Sequence, residues 1–205
     1  MDVSMLCHAG SAEAKNSADT SGDLIDRAKS GDDEAFGSIF ELHHRFIFRF
    51  IYAMVGEQSV AEELTQETFL GAYKNINSLR GEAKLQTWLC AIAKNVVGKS
   101  FRSNRKEGVK VEAEIETLNI IDNSNCPPDR KFLSKELKVV IESALAKLDE
   151  DKRLVFTLKE LQNLSYIEIA EITGHAIPKL KTDLRRAKIE MRKIIRPYLE
   201  VKDEL

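Results

Sequence analysis

LSYIEIAEITGHAIPKLKTDLRRAKIEMRKIIR, running from Leu164 to Arg196, is the stretch whose reading decides the fold. Ser165 followed by Glu168 spells a capping box, in which hydroxyl and carboxylate each satisfy a backbone N–H that a helix start leaves unpaired. A helix therefore begins near Ser165, with Ile167, Ala170 and Ile172 expected as its apolar stripe. Gly174 falls in a tight turn over 173–176, where positive φ is often needed. Pro178 is tolerated just inside the next helix, because the first-turn N–H it lacks has no intrahelical partner. Leu180, Leu184, Ala187, Met191 and Ile194 repeat at spacings of three and four, which predicts one buried stripe. The opposite face carries Lys179, Lys181, Arg185, Arg186, Lys188, Arg192 and Lys193 against only Asp183 and Glu190. A cationic helix face is by itself most often a solvated one. Here a box, a turn and a second helix stand together, and that context points to duplex DNA, where Arg and Lys neutralise phosphates and read guanine edges.

Working outward, the 205-residue chain is 43% hydrophobic and 31% charged, an ordinary globular composition with room for one or two domains. Its formal net charge of −2 hides a segregation, acid in the N-terminal half and linker, base in short helical runs. A local field matters more to binding than the total. No apolar run approaches the roughly 20 residues of a spanning helix, no basic-then-apolar leader opens the chain, and the expected compartment is the cytoplasm. The terminal Lys202-Asp203-Glu204-Leu205 matches an ER-retrieval address and, with no leader, is expected to be incidental. Cys7, Cys90 and Cys126 lack the spacing of a disulfide framework or a zinc site, and Cys90 reads as a core residue. Neither metal nor cofactor is expected.

Taken in order, 1–21 reads as a flexible polar tail and 22–29 as a short helix, with Gly31 its stop and Asp32 the N-cap of the next. Phe36, Ile39, Phe40, Ile47, Phe50, Ile51 and Met54 predict a long buried helix over 33–55. The adjacent His43 and His44 on it point in different directions, which disfavours a metal pair. Gly56 breaks this helix, and another spans 59–75 with Val60, Ala61, Leu64, Thr68, Phe69 and Ala72 able to face inward. That leaves Glu62, Glu63, Gln66 and Glu67 on an acidic face, which spacing alone assigns equally to solvent or to docking. Residues 76–84 form a polar loop, and 85–101 a helix carrying Trp88, Leu89, Ile92, Ala93 and Val96, with Lys94, Asn95, Lys99, Arg102, Arg105 and Lys106 toward its end. A ring, an amide and cations beside a polar loop suit single-stranded nucleic acid, although a buried Trp is the commoner explanation of Trp88 alone. Residues 107–130, with the Cys126-Pro127-Pro128 break, read as a linker. Helices over 132–148 and 151–162 then lead into the helix-turn-helix. The expected class is all-α, two small helical bodies joined by an extended tether.

Four stretches together carry a family resemblance: Ala28-Lys29-Ser30-Gly31-Asp32 with Ala35-Phe36, AEELTQETFLGAY from Ala61, LRGEAKLQTWLCAIAKN from Leu79, and LSYIEIAEITG from Leu164. In that order and with that linker, the chain resembles the extracytoplasmic-function (ECF) branch of the sigma-70 family of bacterial RNA polymerase initiation factors. The resemblance implies region 2 over 22–106, a linker over 107–130, region 4 over 131–200 and a tail over 201–205. It implies that Glu62, Glu63, Leu64, Gln66, Glu67 and Phe69 meet the coiled coil of the polymerase β′ subunit. It likewise implies that Asn77, Ser78, Leu79, Arg80, Lys84, Trp88, Lys94, Asn95, Lys99, Arg102 and Arg105 engage and melt the −10 promoter element. Region 4 would sit on the β flap while Lys179, Lys181, Thr182, Arg185, Arg186 and Lys188 meet the −35 element. An anti-sigma factor is the further expected partner, since such a chain exposes two faces that need partners.

The chain departs from that pattern at Leu85 and Gln86, where family members commonly have an aromatic residue and Arg. It departs again over Pro178 to Leu184, where Asp183 stands for a common DNA-contacting cation. Facing phosphate, Asp183 would repel; facing a cytosine amino group, it could accept a hydrogen bond. The sequence leaves two other functions to weigh. A helix-turn-helix regulator acting without polymerase would bind duplex tightly alone, but no receiver or ligand-pocket pattern precedes the motif. An enzyme would need a phosphate loop or a catalytic constellation, and neither is spelled here.

Overall fold

The computed structural model describes residues 17–79, 84–107, 137 and 139–200, and among these no strand occurs. The elements are α1 (Ser17–Lys29), α2 (Asp33–Val55), α3 (Gln58–Asn75), a 3-10 turn (Ile76–Ser78), α4 (Leu85–Glu107), α5 (139–146), α6 (Glu150–Phe156), a π turn (Thr157–Leu161), α7 (Tyr166–Thr173) and α8 (Ile177–Glu200). α1 starts at Ser17, inside the stretch expected to be tail, and α4 runs to Glu107 rather than stopping at Phe101. The greater part of the linker, 108–130, lies outside the described residues, as do 1–16 and the KDEL ending.

Local chemistry sets the boundaries. Asp32 caps α2, its carboxylate accepting the Ala35 N–H at 3.1 Å, and Asp33 and Glu34 place charge where the helix dipole favours it. Gly56, at φ 78°, ends α2 by donating its N–H to the Tyr52 carbonyl at 2.8 Å. Within α3, Thr65 and Thr68 turn their hydroxyls onto the carbonyls of Ala61 and Leu64, at 2.6 and 2.7 Å, and so bury no unpaired oxygen.

The first body packs α1 and α3 against α2, and α4 against α3 and α2, around Ile39, Ile47, Phe50, Phe69, Leu89 and Ala93. In the second, α6 and α7 pack on α8 through Leu154, Leu158, Ile169, Leu180 and Leu184. These two sets form one continuous core rather than two. α4 lies on α7, and the end of α2 lies on α6 and the π turn. Residues 51–55 are therefore buried on every side of the helix, and Ala53 joins a cluster with Ala144, Leu145, Leu148, Ala187 and Met191. Arg153 fastens the junction, its guanidinium donating to the carbonyls of Met54 at 2.6 Å, Ala146 at 2.6 Å and Leu148 at 3.1 Å. Two helical bodies were expected and are present. Their direct contact was not: Ala53 sits off the α2 stripe that periodicity selects, and the α8 stripe does not say that Ala187 and Met191 pack in the same cluster.

Candidate polymerase and nucleic-acid interfaces

The capping box forms as spelled. Ser165 Oγ accepts the Glu168 N–H at 3.2 Å, Glu168 Oε2 accepts the Ser165 N–H at 2.8 Å, and Gly174 closes α7 at φ 72°. One part of the stripe needs correction: Ile167 is 65% exposed, while Ile169, Ile172 and Thr173 are buried. In a helix of only two turns, Ile169 and Thr173 fix the inward side, and Ile167 falls opposite. On α8, Leu180, Leu184, Ala187 and Met191 are buried as expected, which sends the cations outward.

Those cations divide into two groups. Lys181, Thr182, Arg185 and Arg186 are exposed and line a shallow concavity with Ile189. Among the described residues no carboxylate is ion-paired with Lys181, Arg185 or Arg186, and the Lys181 ammonium lies 5.7 Å from the centre of the Tyr166 ring. Lys179 instead bonds Asp151 and Asp183, both at 2.9 Å, and Lys188 pairs with Glu160 at 2.9 Å. Those bonds raise the Lys179 pKa, and the bond from Lys179 holds Asp151 below the ordinary carboxylate range. Asp183 is buried and turned toward the protein.

The residues expected at the −10 element come together only in part. Asn77 and Ser78 are exposed on the 3-10 turn, Leu79 is buried, and Arg80 lies outside the described residues. Trp88 is half-buried against the core and Lys94 half-buried, whereas Asn95, Lys99, Arg102 and Arg105 are exposed on α4. Three of the cations are paired: Lys84 with Glu168 of α7 at 2.9 Å, Lys99 with Glu67 at 3.2 Å, and Arg105 with Glu150 of α6 at 2.9 Å. Acids of the second body thus hold cations at both ends of α4. For Glu168, burial pushes the carboxyl up, but Lys84 and Ser165 outweigh it and hold the pKa at about 2.

On α3, Glu62, Glu63, Gln66 and Glu67 form the outward face, with Gln58 donating to Glu62 at 2.7 Å. Leu64 and Phe69 are both buried, Leu64 on the helix's inner side and Phe69 where it lines a groove between α2 and α3. Beside the acidic face runs an apolar groove between α2 and α3, lined by Phe36, Phe40, Phe69, Leu70 and Tyr73, with Asp33 and Glu41 at its edge. Leu70 is 60% exposed there, and Tyr73 donates its hydroxyl to Asp33 at 2.7 Å. Sequence reasoning passed over this groove; its one signal is two apolar residues, Leu70 and Tyr73, off the buried stripe. Cys90 is fully buried, and burial pushes its thiol up to about 12. Among the described residues no cluster of His, Cys, Asp and Glu could hold a metal ion, and no helix is long and apolar enough to cross a membrane.

A helical body with an acidic outer helix, followed by a helix-turn-helix body with a cationic last helix, is the two-part plan of sigma-70 factors. The Sigma-70 region 2 family model matches residues 39–107 and the Sigma-70, region 4 model matches residues 138–191. The chain is 33% identical over 178 residues to the ECF RNA polymerase sigma factor SigW of Bacillus subtilis, covering 84% of this chain and 95% of SigW. It is 31% identical over 166 residues to the ECF sigma factor BldN of Streptomyces coelicolor, covering 80% of this chain and 62% of BldN. The chain belongs to the ECF branch of the sigma-70 family. In fold it is similar to the sigma factor RpoE of Bartonella quintana, solved with the anti-sigma factor NepR, with a TM-score of 0.63 at 22% identity over 78% of this chain and 96% of that one.

Proposed function

We propose that the chain is a promoter-specificity subunit that binds core RNA polymerase reversibly, recognises the −35 and −10 elements and assists strand separation, with no catalysis of its own. In this reading residues 22–106 are the polymerase-binding and melting unit and 131–200 the −35 unit, both acting in the cytoplasm. Glu62, Glu63, Gln66 and Glu67 dock on the β′ coiled coil. Asn77, Ser78, Lys84, Trp88, Asn95, Lys99, Arg102 and Arg105 meet the opened −10 strand, where stacking and pocket contacts offset the few kcal/mol of unstacking. The second body rests on the β flap, with α8 in the major groove, and an anti-sigma factor holds the chain inactive.

The observation that carries this proposal is the outward cationic arc of α8 behind a formed capping box and a left-handed Gly174 turn. Reconstitution with bacterial core enzyme tests it: promoter-dependent transcripts are expected from genomic templates, and their absence refutes it. Glu63→Lys should weaken holoenzyme formation while leaving the helical signal and melting temperature of the free chain unchanged; normal assembly would remove the docking role. Tight duplex binding by the free chain, unaltered by core, would favour a polymerase-independent regulator instead.

A further inference from the structure

Asp183 stands where a cation is common in this family, and the sequence leaves it open between repelling phosphate and reading cytosine. Its side chain is only 13% exposed, and it accepts a bond from Lys179 Nζ at 2.9 Å. The same ammonium lies 2.9 Å from Asp151 Oδ2 on α6, so two carboxylates from different elements hold one cation. On the other flank Glu160 of the π turn holds Lys188 at 2.9 Å. At about 100° per residue, the outward side of α8 over 179–189 runs in the order Lys188, Lys181, Arg185, Ile189, Thr182, Arg186, Lys179. The two held lysines are therefore the two ends of the arc. What remains between them over 179–189 is the concavity lined by Lys181, Thr182, Arg185, Arg186 and Ile189, with Arg192 and Lys193 exposed farther along the same side.

We propose that the DNA-reading face of α8 is confined to Lys181, Thr182, Arg185 and Arg186 around Ile189, and that Asp183, with Asp151, is a positioning residue that withholds Lys179 from DNA. This rests on α8 reading duplex DNA. An ammonium between two carboxylates has its charge answered within the protein and releases no counterion from a phosphate. Asp183 then reads no base. Lys179, held between the two carboxylates, ties the first turn of α8 to Asp151 of α6, and the positive face narrows, so fewer non-specific phosphate contacts compete with the four central side chains. Substituting an anion for the family's cation here trades sequence-independent attraction for a smaller reading surface.

The salt dependence of holoenzyme binding to a −35 duplex measures this, because each phosphate contact adds about 0.9 to the slope of log affinity against log salt. Lys179→Met should leave the slope at the wild-type value. Asp151→Asn with Asp183→Asn, which keeps both side-chain shapes, should free Lys179 and steepen the slope by about one unit. Adding Lys179→Met to that pair should restore the wild-type slope. A slope flattened by Lys179→Met alone would overturn the proposal, since Lys179 would already be on phosphate. Steepening that is absent in the double variant, or that survives in the triple, would overturn it too. Arg185→Ala separates the two levels: it should flatten the slope by about one unit, and if it does not, the DNA-binding reading of α8 fails and the withheld lysine falls with it.

Discussion

Glu168 serves two structures at once: it closes the capping box of α7 and it holds Lys84 of the first body. Its pKa, held at about 2 against an ordinary 4.5, makes it a stabilising group at neutral pH. A carboxyl depressed by folding contributes fully above its unfolded pKa, and the contribution is lost as protons bind on the way down to the folded value. Stability should therefore fall between about pH 4.5 and pH 2, and Glu168→Gln, which keeps the cap but not the charge, should flatten that limb in acid titrations followed by circular dichroism. Glu168→Ala removes the cap as well and should lower stability at pH 7 by about 1 kcal/mol in denaturant melts. The box was legible in the sequence because it depends on two residues three apart. The Lys84 contact was not, since 84 residues separate the partners and no local pattern joins them.

At the scale of the element, helix starts and stops were the most legible features: Asp32, Gly56, Ser165 and Gly174 each do the job their chemistry predicts. Gly174 sits at φ 72° with nothing within 4 Å of the position a Cβ would take, so space is no obstacle there and backbone conformation is. Gly174→Ala should cost about 1–2 kcal/mol through left-handed strain alone, read as a lowered midpoint of thermal unfolding with holoenzyme assembly retained. Side assignment within an element was less legible. Two turns of α7 give a weak periodicity, and Ile167 was placed inward by hydrophobicity where geometry puts it outward. Leu64 and Phe69 illustrate the opposite case: spacing turns both inward and both are buried, while the family resemblance gives both a partner.

For the whole molecule, the question is what keeps the two bodies together. The ion pairs Lys84–Glu168 and Arg105–Glu150 involve largely exposed cations, and such pairs contribute about 0.2–1 kcal/mol each, less in salt. The apolar junction at Ala53, Ala144, Leu145, Ala187 and Met191 and the continuous core beneath it outweigh them. Lys84→Ala with Arg105→Ala should thus leave the radius of gyration of the free chain unchanged in small-angle scattering. Ala53→Glu, which puts an unpaired carboxylate into that cluster, should increase it while preserving helix content. Equal expansion by both variants would show that charge, not burial, closes the chain. The α2 side of this junction was not displayed in the sequence, because Ala53 lies beside the stripe of its helix and packs with residues of the other body.

Arg153 gives the closed form a last property. By capping carbonyls at the ends of both α2 and α5, one guanidinium, 99 residues from Met54 in sequence, makes two helix termini share a single set of hydrogen bonds. Fraying at either terminus loosens the donor that the other shares, so amide protons at the two ends should exchange with deuterium as one cooperative unit. A partner that drew the two bodies apart would remove that common protection from the same amides.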